Sequence, residues 1–130
     1  MRRNNGFTVI ELLLAIVILG TLAVLLMIQK GNLDAQNRDS QRKTAINAMY
    51  YNLEKFYYPT HNYYPDHINS GVLTAMDPDL FNDPTGTKLG DSGANYHYLP
   101  TNCQDGQCKS YSLRSTMEKE GDYVKTSVHN

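Results

Sequence analysis

Tryptophan is absent from this chain, cysteine occurs only twice, and the charges nearly cancel. Twelve basic side chains stand against thirteen acidic ones, which gives a net charge of −1. That balance does not indicate a strong electrostatic partner such as nucleic acid. The sequence also lacks a nucleophile–base pattern, a glycine-rich phosphate loop and histidines at metal-ligand spacing. These absences predict that the protein is not an enzyme and holds no cofactor.

The apolar residues are concentrated at one end of the chain. Although 41% of the 130 residues are hydrophobic, the mean hydropathy is −0.49. Phe7 to Ile28 form an unbroken apolar run that would span roughly 33 Å as a helix, about the thickness of a bilayer core. A secretory signal peptide would be shorter and would end in a small-residue cleavage site, which residues 29–33 do not contain.

The single charged residue of this run is Glu11. An ionisable group within a membrane-length helix is costly, so Glu11 is a candidate functional residue. The run follows a short basic segment that ends in Gly6. If the chain were cut after Gly6, Phe7 would carry a new amino group that Glu11 of a neighbouring copy would neutralise. The competing interpretation is an ordinary signal anchor, oriented by Arg2 and Arg3, with Glu11 extending to the membrane interface.

The segment from Gly6 to Leu13, Gly-Phe-Thr-Val-Ile-Glu-Leu-Leu, resembles the processing site of class III signal peptides, which type IV pilins and pseudopilins carry. The resemblance implies that a prepilin peptidase cuts after Gly6 and methylates Phe7, and that Glu11 acts in assembly. Gly20 matches a glycine of many type IV pilins, whereas the proline that many of them carry is replaced by Ile28.

Beyond the apolar run, a second helical pattern extends to about Tyr58, where Pro59 is expected to end it. Its apolar residues recur at helical spacing and predict a face that packs on a sheet: Ile46, Met49, Tyr50, Leu53, Phe56 and Tyr57. Three strands are predicted after a loop: Asn95 to Pro100, Lys109 to Met117, and Tyr123 to Val128. Asp105-Gly106 predicts the hairpin turn between the first two.

These elements predict an α+β fold, with a long N-terminal helix packed on a small antiparallel sheet of about three strands. The predicted organisation is a leader at 1–6, a transmembrane and filament-core helix at 7–28, an amphipathic half at 29–58, a connecting loop at 59–93 and a β-meander at 94–130. The segments at 38–43, 53–65 and 111–118 resemble corresponding parts of pilins and major pseudopilins.

Cys103 and Cys108 are predicted to form a disulfide that closes the hairpin, because cysteine pairs oxidise in a domain exported across a membrane. A zinc site is not expected, since two further ligands are missing. No metal site is predicted, and the weak candidates for calcium are Asp77, Asp79, Asp83 and Asp91. Their alternative role is to initiate turns. Some tyrosines are candidate surface or intersubunit contacts: Tyr51, Tyr58, Tyr63 and Tyr64.

The sequence therefore predicts a subunit of a type IV pilus, held in the cytoplasmic membrane by one helix before joining an extracellular filament. The resemblance implies as partners further copies of the chain, prepilin peptidase, a platform protein, an assembly ATPase and minor pilins. The alternative within the family is a pseudopilin of a type II secretion system. Gly20 and the cysteines favour the pilin, while the helix-end segment and Ile28 favour the pseudopilin.

A different class of alternative is a membrane-anchored extracellular binding domain that never polymerises. A DNA-binding minor pilin would need a basic patch, for which the candidates are Arg38, Arg42 and Lys43.

Overall fold

The computed structural model describes residues 6–129, and within them the chain forms two compact units, the first ending at Ala35 and the second beginning at Gln36. Helix α1, Val9–Asn52, contributes to both units. The predicted leader lies mostly outside the described residues, which include only its last residue, Gly6. Among the described elements, one helix is long and apolar enough to cross a membrane.

The first unit is the apolar part of α1. None of the most apolar 18-residue window is buried in the structure. The exposed side chains include Phe7, which is 82% accessible, and Met27, which is 78% accessible. A continuous apolar surface of this kind needs lipid or another protein surface around it.

The helical backbone of the second unit is not uniform. A π-helical turn, Leu53–Tyr57, follows α1, and a short helix α2, Tyr58–His61, completes it. Helical structure thus continues past Pro59, which lies in the first turn of α2, and reaches His61. The helix ends where Asn62 adopts a left-handed conformation and its N–H donates to the carbonyl of Tyr58 at 2.8 Å.

The sheet is antiparallel and has four strands: β1, Tyr64–Pro65; β2, Tyr96–Gln104; β3, Gln107–Ser115; and β4, Tyr123–Thr126. β2 pairs along one edge of β3, and β1 and β4 share the other edge. The three longer strands confirm the predicted meander. β1 lies in the predicted loop, since two residues that include a proline give no periodic signal.

The core of the second unit lies between α1 and the inner face of the sheet. Ile46, Met49 and Leu53 from the helical side meet Tyr111 and Leu113 of β3. Phe56 departs from the predicted apolar stripe, because half of its surface is exposed. The π-helical turn contains an extra residue, so side chains after Leu53 are rotated relative to an α-helix. This rotation places Phe56 beside exposed Tyr51, with ring centroids 5.9 Å apart.

Candidate assembly and processing site

The first turn of α1 is capped by the side chain of Thr8. Its Oγ1 accepts a hydrogen bond from the Glu11 N–H at 3.3 Å, and its carbonyl accepts from the N–H groups of Glu11 and Leu12, both at 3.1 Å. Threonine followed three residues later by glutamate is the sequence signature of a capping box. This local signal, which is absent from the predictions above, fixes the helix start at Val9, one residue after Thr8.

The cap places the predicted processing and assembly residues at one helix end. Phe7 precedes the cap and is exposed, and Glu11 lies in the first helical turn. A carboxylate is favoured at this end because the helix dipole is positive there. Glu11 carries the only charge of the apolar segment, and its exposed position leaves it accessible to a partner outside the chain. Gly20 lies within the continuous helix, with open space around it.

The second unit contains an ion network centred on the buried guanidinium of Arg42. Its Nε and Nη2 donate to the two carboxylate oxygens of Asp83 at 2.6 and 3.1 Å. Its Nη1 donates to Asp39 at 3.0 Å and to Glu118 at 2.9 Å. The side chains of Arg42 and Asp39 are 2% exposed and that of Asp83 is fully buried. The arrangement ties α1 to the long loop and to the segment between β3 and β4.

The network shifts the titration of its carboxylates. The pKa of Asp39 is lowered overall. Burial acts to raise it, but hydrogen bonds from the backbone N–H groups of Glu118 and Lys119 and from Arg42 outweigh that effect. For Asp83, burial acts upward as well, and hydrogen bonds from Arg42 and Thr85 bring the pKa well below its usual range. Hydrogen bonding from Arg38 is the main cause that lowers the pKa of Glu118 to about 2. All three carboxylates are therefore charged at neutral pH.

The same contacts correct the hypothesis of a basic patch. Arg42 is buried, Arg38 donates to both oxygens of Glu118 at 2.7 and 2.6 Å, and Lys43 pairs with Glu120 at 2.7 Å. The cationic groups of this segment face carboxylates of the chain itself, which leaves no basic surface there for nucleic acid.

A further buried carboxylate, that of Glu54, lies in the π-helical turn. It accepts hydrogen bonds from the Tyr64 hydroxyl at 3.0 Å, from the Tyr111 hydroxyl at 2.8 Å and from the Val128 N–H at 3.2 Å. Burial, reinforced by the charge of Glu54, raises the pKa of both tyrosines. Tyr64 is fully buried, and its hydroxyl donates a hydrogen bond to the Glu54 carboxylate. The prediction that Tyr64 is a surface contact is therefore wrong.

Three of the four candidate calcium ligands have other partners. Asp83 binds Arg42, Asp77 accepts from the Asp79 N–H at 3.0 Å, and Asp91 accepts from the Lys88 N–H at 2.9 Å. The last two contacts are turn and cap interactions. Within residues 6–129, no group of three or more histidine, cysteine, aspartate or glutamate side chains is placed to hold a metal ion.

The predicted disulfide is confirmed. Cys103 and Cys108 are directly opposite each other on β2 and β3 and are bonded. Between them, Asp105 and Gly106 both have positive φ, as the favoured two-residue hairpin turn requires.

Comparison with known proteins gives one finding. Residues 1–27 match the family model of the prokaryotic N-terminal methylation motif. No curated protein and no solved structure matches the chain. The matched region includes Gly6, Phe7, Glu11 and most of the apolar helix. The chain thus carries the class III signal peptide of type IV pilins and pseudopilins, which implies processing by prepilin peptidase and anchoring in a membrane.

Proposed function

We propose that this protein is a structural subunit of a type IV pilus, cut between Gly6 and Phe7 and polymerised into a helical surface filament. The observation that carries the proposal is the exposed apolar helix with Glu11 in its first turn. In the membrane, lipid covers this helix. In a filament, the helices of neighbouring copies replace the lipid.

Glu11 gives the polymer its register. In an apolar filament core, an unpaired carboxylate costs several kcal/mol. The new amino group of Phe7 on a neighbouring copy removes that cost when the two charges meet. Subunits that are displaced along the filament axis leave both charges unpaired, so the charge pair favours one register.

The role is structural and requires no catalysis or cofactor. The subunit waits in the cytoplasmic membrane with its second unit outside. A platform protein and an assembly ATPase then transfer it to the filament, together with minor pilins.

The deciding experiment identifies the N-terminus of the protein in fibres sheared from intact cells. Mass spectrometry of a peptide that starts at methylated Phe7 in the sheared fraction supports the surface pilus. Processed protein found only in the membrane pellet contradicts it and favours a pseudopilus of a type II secretion system. Intact Met1 or Arg2 termini throughout contradict both and favour a non-polymerising membrane anchor.

A further inference from the structure

A cleft of about 640 Å³ opens between the end of the helix and the β2–β3 hairpin. Tyr58 and Asn62 line it from the helix end, and Tyr63 lines it just after. Asn102 and Gln107 are among the residues that face it from the hairpin. Its volume lies within the range of small-molecule sites. Neither the segment from Phe7 to Glu11 nor the Arg42 network lines this cleft.

Backbone pairing and a disulfide connect the two walls of the cleft. β1 joins them, because Tyr64 pairs with Cys108 and Pro65 pairs with Gln107. The disulfide from buried Cys108 to Cys103 fixes the hairpin. A ligand therefore meets a largely preformed surface, which reduces the ordering cost of binding.

Backbone conformation also singles out the cleft. Within residues 6–129, the non-glycine residues with positive φ are Asn62, Asn102 and Asp105, at 61°, 56° and 52°, and all of them line it. The first ends the helix and the third makes the hairpin turn. Asn102 has neither role: it lies inside β2, and it interrupts the pairing between Thr101–Ser110 and Cys103–Cys108. A strained residue that no turn explains suggests a functional role.

The lining has the chemistry of a site for hydroxyl groups. Four of its side chains are amides, each a donor and an acceptor at once: Asn62, Asn102, Gln104 and Gln107. Asp105 adds an acceptor and Lys109 adds a donor, so the formal charges cancel. Tyr63, which is half-buried and meets Tyr57 and His61 edge to face, supplies an aromatic surface. The ring of Tyr58 is stacked on His129, with centroids 4.1 Å apart.

We propose that this cleft binds a neutral carbohydrate. Sugar hydroxyls donate and accept together, as side-chain amides do, and the C–H groups of a sugar ring pack on an aromatic ring. An anionic ligand is disfavoured because the one ammonium group is matched by a carboxylate. An apolar ligand is disfavoured because no aliphatic side chain lines the cleft. The proposal goes beyond filament formation and does not depend on it.

The test uses the full chain, purified in a detergent without a sugar headgroup. The protein is applied to an array of neutral oligosaccharides of glucose, galactose, mannose and N-acetylhexosamines. The same array carries sialylated glycans, sulfated glycans and peptides as competing ligand classes. The best-bound neutral sugar is then titrated in solution. Asn102→Gly removes an amide and keeps the left-handed backbone accessible, and Gln107→Ala removes a second amide. Gln36→Ala, at an exposed helical position, is the matched control.

We expect the unchanged protein and Gln36→Ala to bind the same neutral sugar, and each cleft variant to bind it at least tenfold more weakly. Circular dichroism verifies that all variants are folded. The proposal is overturned if no neutral sugar is bound, if only charged glycans or peptides are bound, or if both folded cleft variants bind the sugar as tightly as the control.

Discussion

Arg42 and Asp83 meet through two parallel hydrogen bonds in the interior of the second unit, although 41 residues separate them in the chain. The side chain of Arg42 is 2% exposed and that of Asp83 is fully buried. A buried charge is tolerated only when it is paired and hydrogen-bonded. Arg42 is thus the shared cation of three carboxylates. Its loss leaves the buried carboxylates of Asp39 and Asp83 without a cation, whereas Glu118 keeps its pair with Arg38.

Replacing Arg42 with methionine is expected to lower the free energy of unfolding by about 3–5 kcal/mol, because Asp39 and Asp83 become buried without a cation. Guanidinium titration of the purified protein measures the change. Lys43→Met is the matched control, since Lys43 pairs with Glu120 at the surface and should contribute less than about 1 kcal/mol. Equal losses for the two variants would contradict a buried network.

Acid should weaken the fold. Asp39, Asp83 and Glu118 have lowered pKa values in the folded state, and in Glu118 the value falls to about 2. In the unfolded chain they titrate near 4, so below that pH the unfolded state binds more protons. Stability is expected to be fully present above about pH 5 and to fall as the pH decreases from about 4 towards 2. Denaturant midpoints from pH 2 to pH 7 test this, and Asp83→Asn should flatten the profile.

Tyr111→Phe tests the environment of Glu54. It removes one donor from a buried carboxylate, which should cost about 1–3 kcal/mol of unfolding free energy. Tyr51→Phe removes a hydroxyl from an exposed ring and should change stability by less than about 0.5 kcal/mol. If both variants unfold at the same denaturant concentration as the unchanged protein, Glu54 does not depend on the Tyr111 hydroxyl.

The π-helical turn predicts unequal effects at two neighbouring apolar positions. Leu53 is fully buried, so Leu53→Ala should lower the unfolding free energy by about 2–5 kcal/mol. Phe56 is half exposed, and Phe56→Ala should cost less than about 1.5 kcal/mol. A regular α-helix would bury both side chains. A loss at Phe56 as large as that at Leu53 would therefore contradict the turn.

Glu11→Gln separates processing from assembly, because it removes the charge and keeps the shape of the side chain. We expect normal cleavage after Gly6 but at least a tenfold loss of sheared filament, measured by quantitative immunoblotting. Glu120→Gln, which changes an exposed carboxylate of the second unit, should leave the yield unchanged. A normal filament yield from Glu11→Gln would show that the charge of Glu11 has no role in assembly.

The processing segment could be predicted from the sequence because its signals are local: a short leader, Gly6, Phe7, Glu11 and the apolar run all lie within 28 residues. The helix and the three longer strands also follow from periodicity and turn residues. β1 could not be predicted in this way, because two residues are too few to show a periodic pattern.

The buried network could not be predicted, since its members come from distant parts of the chain and charged residues are normally exposed. In the sequence Asp83 is a calcium candidate, but in the fold it is a partner of Arg42, and only tertiary contacts distinguish these roles. The buried position of Tyr64 has no signal in the sequence either, because nothing near it indicates that Glu54, ten residues earlier, is its partner.

The extra residue in the turn at Leu53–Tyr57 also matters for comparing this chain with others. In an α-helix each residue advances by about 100°. A sequence alignment that carries the 3.6-residue period through this segment assigns Phe56 and the residues after it to the wrong side of the helix. Homologous positions here are better matched through Pro59 and the Asn62 cap, which mark the helix end independently of its periodicity.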